Sequence, residues 1–167
     1  LIVLVFSYTS HAQTDQKIYD IIDAVSEHRL KQDVKTLADF GTRHTLSDTI
    51  SDTRGIGAAR RWIKSEFETI SKGCDNCLDV FYQKDLVKKG ENQRIVKDVM
   101  VVNVVAIQRG TKYPNRFIIM SGDIDSRVSD PIDFTSDAPG ANDNATGMAG
   151  ALEAARVLSQ YQFENSI

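Results

Sequence analysis

Residues 119–147 limit the fold and the function of this chain more than any other stretch, and they run IMSGDIDSRVSDPIDFTSDAPGANDNATG. The apolar run Phe117–Met120 ends abruptly at a Ser-Gly pair, and two aspartates, Asp123 and Asp125, follow it. A polar loop then leads to a Pro-Gly-Ala turn and a third acid, Asp143, after which the spacing of apolar residues predicts a helix. A strand, an acid-rich loop and a helix in this order predict the βα unit of an open α/β sheet.

The three aspartates indicate a cation site at the end of that strand. Ligands of open α/β sheets bind at the carboxyl ends of the strands. Carboxylates that converge there repel one another unless a metal ion or a proton lies between them. Three scattered acids would instead favour a solvated polar loop. Because the acids stand within two dense motifs, SGDIDS and APGANDNATG, the metal site is the favoured interpretation.

These two motifs resemble those of the family 28 metallopeptidases, the aminopeptidases with two zinc ions. That family has a G-H-x-D-S segment and then A-P-G-A-(D/N)-D-(D/N)-(A/G)-S-G. The matching segments here are GDIDS, Gly122–Ser126, and APGANDNATG, Ala138–Gly147. The resemblance is strong from Ser121 onward. It is weaker over the N-terminal part, where LADFGTRH, RGIGAARRWIKSEF and NVVAIQRG look like the leading elements of the family.

The resemblance implies a fold, a reaction and a role for each acid. The implied fold is α/β, a three-layer α/β/α sandwich with a mixed central sheet that is incomplete at its C-terminal end. Asp143 falls on the carboxylate that bridges two zinc ions, since each carboxylate oxygen has a lone pair for one cation. Asp123 falls on a ligand to one zinc ion, and Asp125 falls on the catalytic acid that orients this ligand. The implied reaction is the release of N-terminal residues from peptide substrates through two-metal activation of water.

Asp123 departs from the family pattern, which has a zinc-binding His at this position. A carboxylate is also a zinc ligand, at about 2.0–2.2 Å, but it has no N–H to donate to Asp125. The substitution could therefore shift the metal from zinc to manganese or cobalt, because carboxylates suit harder ions better than imidazole does. The resemblance also places a cis peptide bond between Asp143 and Asn144.

Other functions stay open at this point. A glutaminyl cyclase-like enzyme or a carboxypeptidase would share the scaffold and differ in later loops. A non-catalytic binding module would keep the fold and lack the His ligand at Asp123. The Glu-Glu pair, the further acid and the final His that the family requires have no match before Ile167, so we expect an N-terminal fragment that is inactive alone. A serine hydrolase is disfavoured, since the sequence has no G-x-S-x-G segment.

The beginning of the chain predicts an exported protein. Residues 1–12 resemble the remnant of a secretory signal peptide, with an apolar start and a Ser10-x-Ala12 cleavage pattern. Residues 13–167 would then form the N-terminal part of a single metallopeptidase domain, periplasmic or extracellular. No transmembrane span follows in the sequence, and a net charge of −3 gives no basic surface for nucleic acid. The sequence does not indicate an oligomeric state.

Cys74 and Cys77 form a CDNC segment that has three interpretations. A redox dithiol would need a thioredoxin-like βαβ setting, and the pattern around this segment does not predict one. A zinc knuckle would need a second pair of ligands. A local disulfide in an exported protein is therefore favoured.

Apolar spacing predicts three helices before the motifs. The first covers Asp15–Val25, and the second begins after a Ser26 cap and ends at Gly41. The third covers Gly55–Ile70. Its buried stripe is expected at Ala59, Ile63, Phe67 and Ile70.

Three strands are predicted as well. Alternation from Leu78 to Tyr82 predicts a strand with one exposed face. The apolar run Val99–Ile107 predicts a central strand covered on both faces, and Phe117–Met120 predicts the next buried strand. A lone loop histidine, His44, is expected to be solvated rather than bound to a metal.

Overall fold

The computed structural model describes residues 15–167, so the predicted signal peptide lies outside the described residues. These residues form four α-helices, one short wide helical turn and four strands. No helix within the described range is long and apolar enough to cross a membrane. In chain order the elements are α1 (Gln16–Asp23), α2 (Glu27–Asp39), α3 (Gly55–Gly73), β1 (Leu78–Val87), β2 (Val99–Gln108), β3 (Tyr113–Phe117), α4 (Thr146–Leu158) and β4 (Asn165–Ser166).

The first two helices begin and end where polar caps and a glycine predict. Asp15 caps α1 by accepting a hydrogen bond from the Lys17 N–H at 3.0 Å. Ser26 caps α2 in the same way, and its hydroxyl accepts from the Arg29 N–H at 3.3 Å. Gly41 follows α2 with φ at +73°, a left-handed conformation that glycine adopts without a steric penalty. The predicted stop of α2 is therefore confirmed.

The core lies between α2, α3, α4 and the β1–β2 pair. The predicted stripe of α3 is confirmed, because Ala59, Ile63, Phe67 and Ile70 are all buried. Apolar side chains at the 3.6-residue period form one face of a helix, and α3 packs against β1, β2 and α4. The buried cluster that contains the stripe also includes Leu37 of α2, Leu78 of β1, and Met148 and Leu152 of α4.

The strands form one antiparallel and one parallel pair, and the predicted α/β class is confirmed. β1 and β2 pair antiparallel along their whole length, from Leu78 opposite Gln108 to Val87 opposite Val99. β3 and β4 pair in parallel. Ile167 links the two pairs, because its N–H and carbonyl exchange hydrogen bonds with the backbone of Gln108 at 3.0 and 2.9 Å.

The predicted buried strand at Phe117–Met120 is wrong. β3 covers Tyr113–Phe117, and the next three residues lie outside any described strand. The side chains of Ile118, Ile119 and Met120 are 56%, 85% and 51% exposed. The physical reason is that β4 has only two residues, so the ladder beside β3 ends at the hydrogen bond from the Ile118 N–H to the Ser166 carbonyl.

β2 is also less covered than its apolar sequence predicts. Met100 is 44% exposed, and most β2 side chains are only partly buried. A strand is covered on both faces only when layers pack on each side. In the described part of the chain, β2 instead borders a cleft of about 670 Å³ that reaches α3, α4 and residues 117–125.

Candidate metal site

The two acid-bearing segments meet at a glycine. Gly122 lies against the first turn of α4, and a Cβ atom on it would be 2.5 Å from both the Gly147 carbonyl carbon and the Met148 nitrogen. Side chains do not approach backbone atoms so closely, so the contact requires a residue without a Cβ. The Ser-Gly pair at the start of the SGDIDS motif therefore packs Asp123 and its neighbours against the helix that follows Asp143.

A buried serine, Ser126, connects the same segments through hydrogen bonds. The Ser126 hydroxyl accepts a hydrogen bond from the Arg43 N–H at 3.0 Å and donates one to the Ala138 carbonyl at 2.5 Å. The Ala138 N–H in turn donates to the Gly41 carbonyl at 2.8 Å. The loop after α2, the end of SGDIDS and the start of APGANDNATG are thus joined at one junction.

The three predicted site residues are exposed at this junction. The structure describes Asp123, Asp125 and Asp143 as exposed, and among residues 15–167 none engages their carboxylates in a hydrogen bond or ion pair. The lack of a protein partner among the described residues sets these three acids apart, because the other acids of the loop, Asp130, Asp133 and Asp137, each form a hydrogen bond or an ion pair. Carboxylates without protein partners can bind a cation from solution.

The described residues supply only part of a metal site. Zinc takes four ligands in structural sites and three protein ligands in catalytic ones, and carboxylate oxygens are accepted donors. Asp123 and Asp143 fit zinc by this chemistry. Within residues 15–167, however, no group of three or more His, Cys, Asp and Glu side chains is placed to hold a metal ion. The described part of the chain therefore brings together fewer donors than one zinc ion takes.

The residues around Asp143 form the entry to α4. A short wide helical turn, Ala141–Ala145, precedes the helix and is interrupted by non-helical dihedrals at Asp143 and Asn144. The peptide bond between these two residues is cis, as the motif resemblance predicts. The Asn144 side-chain oxygen accepts from the Gly147 N–H at 2.9 Å. Asn144 therefore satisfies a free amide of the first helical turn.

His44 is a structural residue rather than a solvated one. It is buried, and its Nδ1 accepts from the Leu46 N–H at 3.0 Å. The proton then lies on Nε2, which donates to the Pro131 carbonyl at 3.1 Å. Both ring nitrogens are occupied, so the expectation that His44 is not a metal ligand agrees with the geometry, although the expected solvation is wrong.

The remaining acids of the loop shape its turns. Hydrogen bonds from Ser136 and Thr135 hold the pKa of Asp133 well below its usual range. Asp137 forms an ion pair with Arg54 at 2.6 Å. Asp133 and Asp137 thus have protein partners that stabilise the loop between the motifs.

Cys74 and Cys77 are joined by a disulfide at the turn between α3 and β1. The two residues between them, Asp75 and Asn76, have φ of +58° and +59°. A disulfide leaves no thiolate to bind zinc. Of the three interpretations of CDNC, the structure agrees with the local disulfide.

Sequence reasoning missed one residue of this region. Arg43 is fully buried beneath both motif loops. An arginine in a polar GTRH segment is expected at the surface, since arginine is almost never fully buried without a partner. The one available signal was the position of Arg43 two residues after the Gly41 helix stop, where the chain leaves α2.

Comparisons with known proteins agree with the motif resemblance. Residues 103–167 match the model of Peptidase family M28. The chain is 38% identical over 152 residues to a probable zinc metalloprotease of Pyrenophora teres f. teres, a match that covers 91% of this chain and 33% of the relative. It is 35% identical over 165 residues to one from Phaeosphaeria nodorum, with 92% and 33% covered. A probable zinc metalloprotease of Pyricularia oryzae is 40% identical over 145 residues, with 87% and 28% covered. The chain thus spans about a third of the length of the curated relatives it matches.

Proposed function

We propose that this chain is part of a zinc-dependent peptidase and supplies two of its metal ligands, Asp123 and Asp143. The observation that carries the proposal is the contact of Gly122 with Gly147 and Met148. This contact packs the segment of Asp123 against the helix that follows Asp143, and among the described residues neither exposed carboxylate has a protein partner. Such carboxylates are suited to binding a cation that neutralises them both.

The comparisons support the choice of metal and reaction. The region that carries both motifs lies within the match to Peptidase family M28, and the relatives cited above are named probable zinc metalloproteases. Zinc bound at such a site supplies a Lewis acid that polarises the scissile carbonyl. The proposal therefore rests on two observations: the carboxylates of Asp123 and Asp143 in this chain, and the name zinc metalloprotease given to its relatives.

The chain's own residues have separate roles in this proposal. Asp123 and Asp143 bind the metal. Asp125 lies two residues after Asp123 on the same exposed segment, where its negative charge favours a cation. Asp123 has no N–H to donate, so Asp125 would orient it only through the bound metal.

A finer proposal concerns specificity and location. The APGANDNATG motif and its resemblance support an aminopeptidase with two zinc ions, in which Asp143 bridges the ions. The apolar start and the Ser10-x-Ala12 pattern support export of the protein.

The test uses the full-length protein that contains this chain. Zinc content is measured by mass spectrometry after dialysis, and hydrolysis is followed with a free N-terminal peptide, its N-acetylated form and its C-terminally amidated form. The proposal predicts bound zinc and cleavage of the free and amidated peptides only. Cleavage that requires a free C-terminus would indicate a carboxypeptidase instead.

Variants of two loop acids decide whether the site is the one described. Asp143→Ala is expected to lose zinc and activity. Asp137→Ala is the matched control, because Asp137 is an exposed acid of the same loop that pairs with Arg54. If Asp143→Ala retains full zinc content and rate, the assignment of this site is wrong.

A further inference from the structure

The guanidinium of Arg43 donates hydrogen bonds to backbone carbonyls of three segments. Arg43 is 0% exposed and follows the stop of α2. Its Nη1 donates to the Leu37 carbonyl of α2 at 2.7 Å and to the Pro139 carbonyl of the APGANDNATG loop at 2.6 Å. Its Nη2 donates to the Gly140 carbonyl of the same loop at 3.0 Å, and its Nε donates to the Ile124 carbonyl of SGDIDS at 2.8 Å.

This bonding pattern is specific to arginine. A guanidinium presents five N–H donors in a rigid planar fork, whereas a lysine presents three donors at one point. Within the described residues Arg43 has no carboxylate in ion-pair contact, so its donors go to carbonyls. Burial lowers the pKa of Arg43, and the negative charge of Asp125 opposes that shift. A buried cation without a direct ion pair is costly, and the four hydrogen bonds and the nearby Asp125 offset this cost.

The carbonyls that Arg43 holds belong to the acid-bearing segments. Ile124 lies between Asp123 and Asp125, and Gly140 comes three residues before Asp143. The backbone of Arg43 adds to this link. Its N–H donates to the Ser126 hydroxyl at 3.0 Å, and its carbonyl accepts from the Ser126 N–H at 3.3 Å.

From these contacts we infer that Arg43 is the positioning residue of the proposed metal site, fixing the loop of Asp123 and the loop of Asp143 relative to each other. The inference rests on the proposed function, because it assigns those loops to the metal. Arg43 does not touch the metal or the substrate. It acts through the backbone carbonyls of Ile124 and Gly140, which belong to the segments that carry Asp123 and Asp143.

Arg60 on α3 provides a matched control for the loss of a buried arginine. It is 8% exposed, and burial lowers its pKa as it does for Arg43. Its Nη1 contacts the Met100 carbonyl at 3.5 Å, and its Nε has no partner among the described residues. Arg60 thus shares the burial and charge of Arg43 but has no hydrogen bond to either acid-bearing loop.

The experiment compares Arg43→Met, Arg43→Lys, Arg60→Met and Arg60→Lys in the full-length protein. Amide hydrogen exchange of residues 121–126 and 139–145 is measured in the zinc-free form, and zinc affinity is measured by chelator competition. We expect faster exchange in both loops for Arg43→Met only. Zinc affinity should fall on the order of 10–100-fold, the usual effect of removing a group that orients metal ligands. Arg43→Lys should recover part of this loss.

Each outcome decides the inference. If the two Met variants show equal loop exchange and equal zinc affinity, Arg43 is merely a buried structural residue and the inference is overturned. If Arg43→Met does not fold, the comparison of Arg43→Lys with Arg60→Lys decides in the same way. If the unaltered protein binds no zinc, the proposed function fails, and loop exchange alone decides whether Arg43 fixes the two loops.

Discussion

Replacing Gly122 by alanine tests the contact that carries the proposed function. The added Cβ would lie 2.5–2.6 Å from three backbone atoms of Gly147 and Met148. Since carbon atoms pack at about 3.5–4.0 Å, the two segments have to separate by about 1 Å. No flexible side chain can relieve the clash, because all three atoms belong to the backbone. Overpacking of this kind costs about 1–3 kcal/mol of folding stability.

The effect on catalysis should exceed the effect on stability. A displacement of about 1 Å in a catalytic site lowers the rate by on the order of 100-fold. The assay measures kcat/KM, zinc affinity and thermal unfolding of full-length Gly122→Ala. Gly150→Ala is the control on the same helix, since a Cβ at Gly150 meets nothing within 4 Å. That change should stabilise α4 by about 1 kcal/mol and leave kcat/KM unaltered.

Two results would refute the reasoning. The contact does not hold the ligands if Gly122→Ala keeps the zinc affinity and kcat/KM of the unaltered protein. The contact is likewise unimportant if Gly122→Ala and Gly150→Ala change thermal stability equally.

Asp123→His should preserve activity with zinc and tighten zinc binding, measured by chelator competition, and weaker binding would contradict the assignment of Asp123 as a ligand. Glu153→Gln should destabilise the protein by about 1–3 kcal/mol in urea unfolding at pH 7, because buried Glu153 pairs with Arg29 at 2.5 Å. Burial alone would raise the pKa of Glu153, but Arg29 lowers it overall, so its stabilisation is present above the ordinary glutamate pKa and is lost as pH falls. The two urea midpoints should therefore converge as the pH falls below the ordinary glutamate pKa, and a constant difference would contradict this. Replacing both Cys74 and Cys77 by alanine should cost at most about 2 kcal/mol, since the disulfide closes a very short loop, and a much larger loss in urea unfolding would contradict this.

Local signals in the sequence were sufficient to predict where α2 begins and ends and which face of α3 is buried. Ser26 predicts the start of α2 because its hydroxyl can satisfy a free amide, and Gly41 predicts the end because it tolerates positive φ. The stripe of α3 follows from the 3.6-residue period alone. Helix caps and helical periodicity depend on residues that are close in sequence, so a single sequence is enough to predict them.

The exposure of Phe117–Met120 and the burial of Arg43 were not predictable in this way, because both depend on residues that are far away in the sequence. The run Phe117–Met120 has the composition of a buried strand, but burial requires neighbouring strands, and within residues 15–167 only the two-residue β4 pairs with β3. Arg43 is a charged residue in a polar segment, and its four carbonyl partners come from positions up to 97 residues away. For the candidate site, the motifs predicted the acids, whereas the residues that hold the loops together had no sequence pattern.

A zinc-loaded crystal structure of the full-length protein, with anomalous scattering recorded at the zinc edge, would show whether both acids bind the metal. We expect an anomalous peak about 2.0–2.2 Å from carboxylate oxygens of both Asp123 and Asp143. A peak bound to Asp143 alone would remove Asp123 from the site. Zinc bound away from both loops would contradict the proposed metal site.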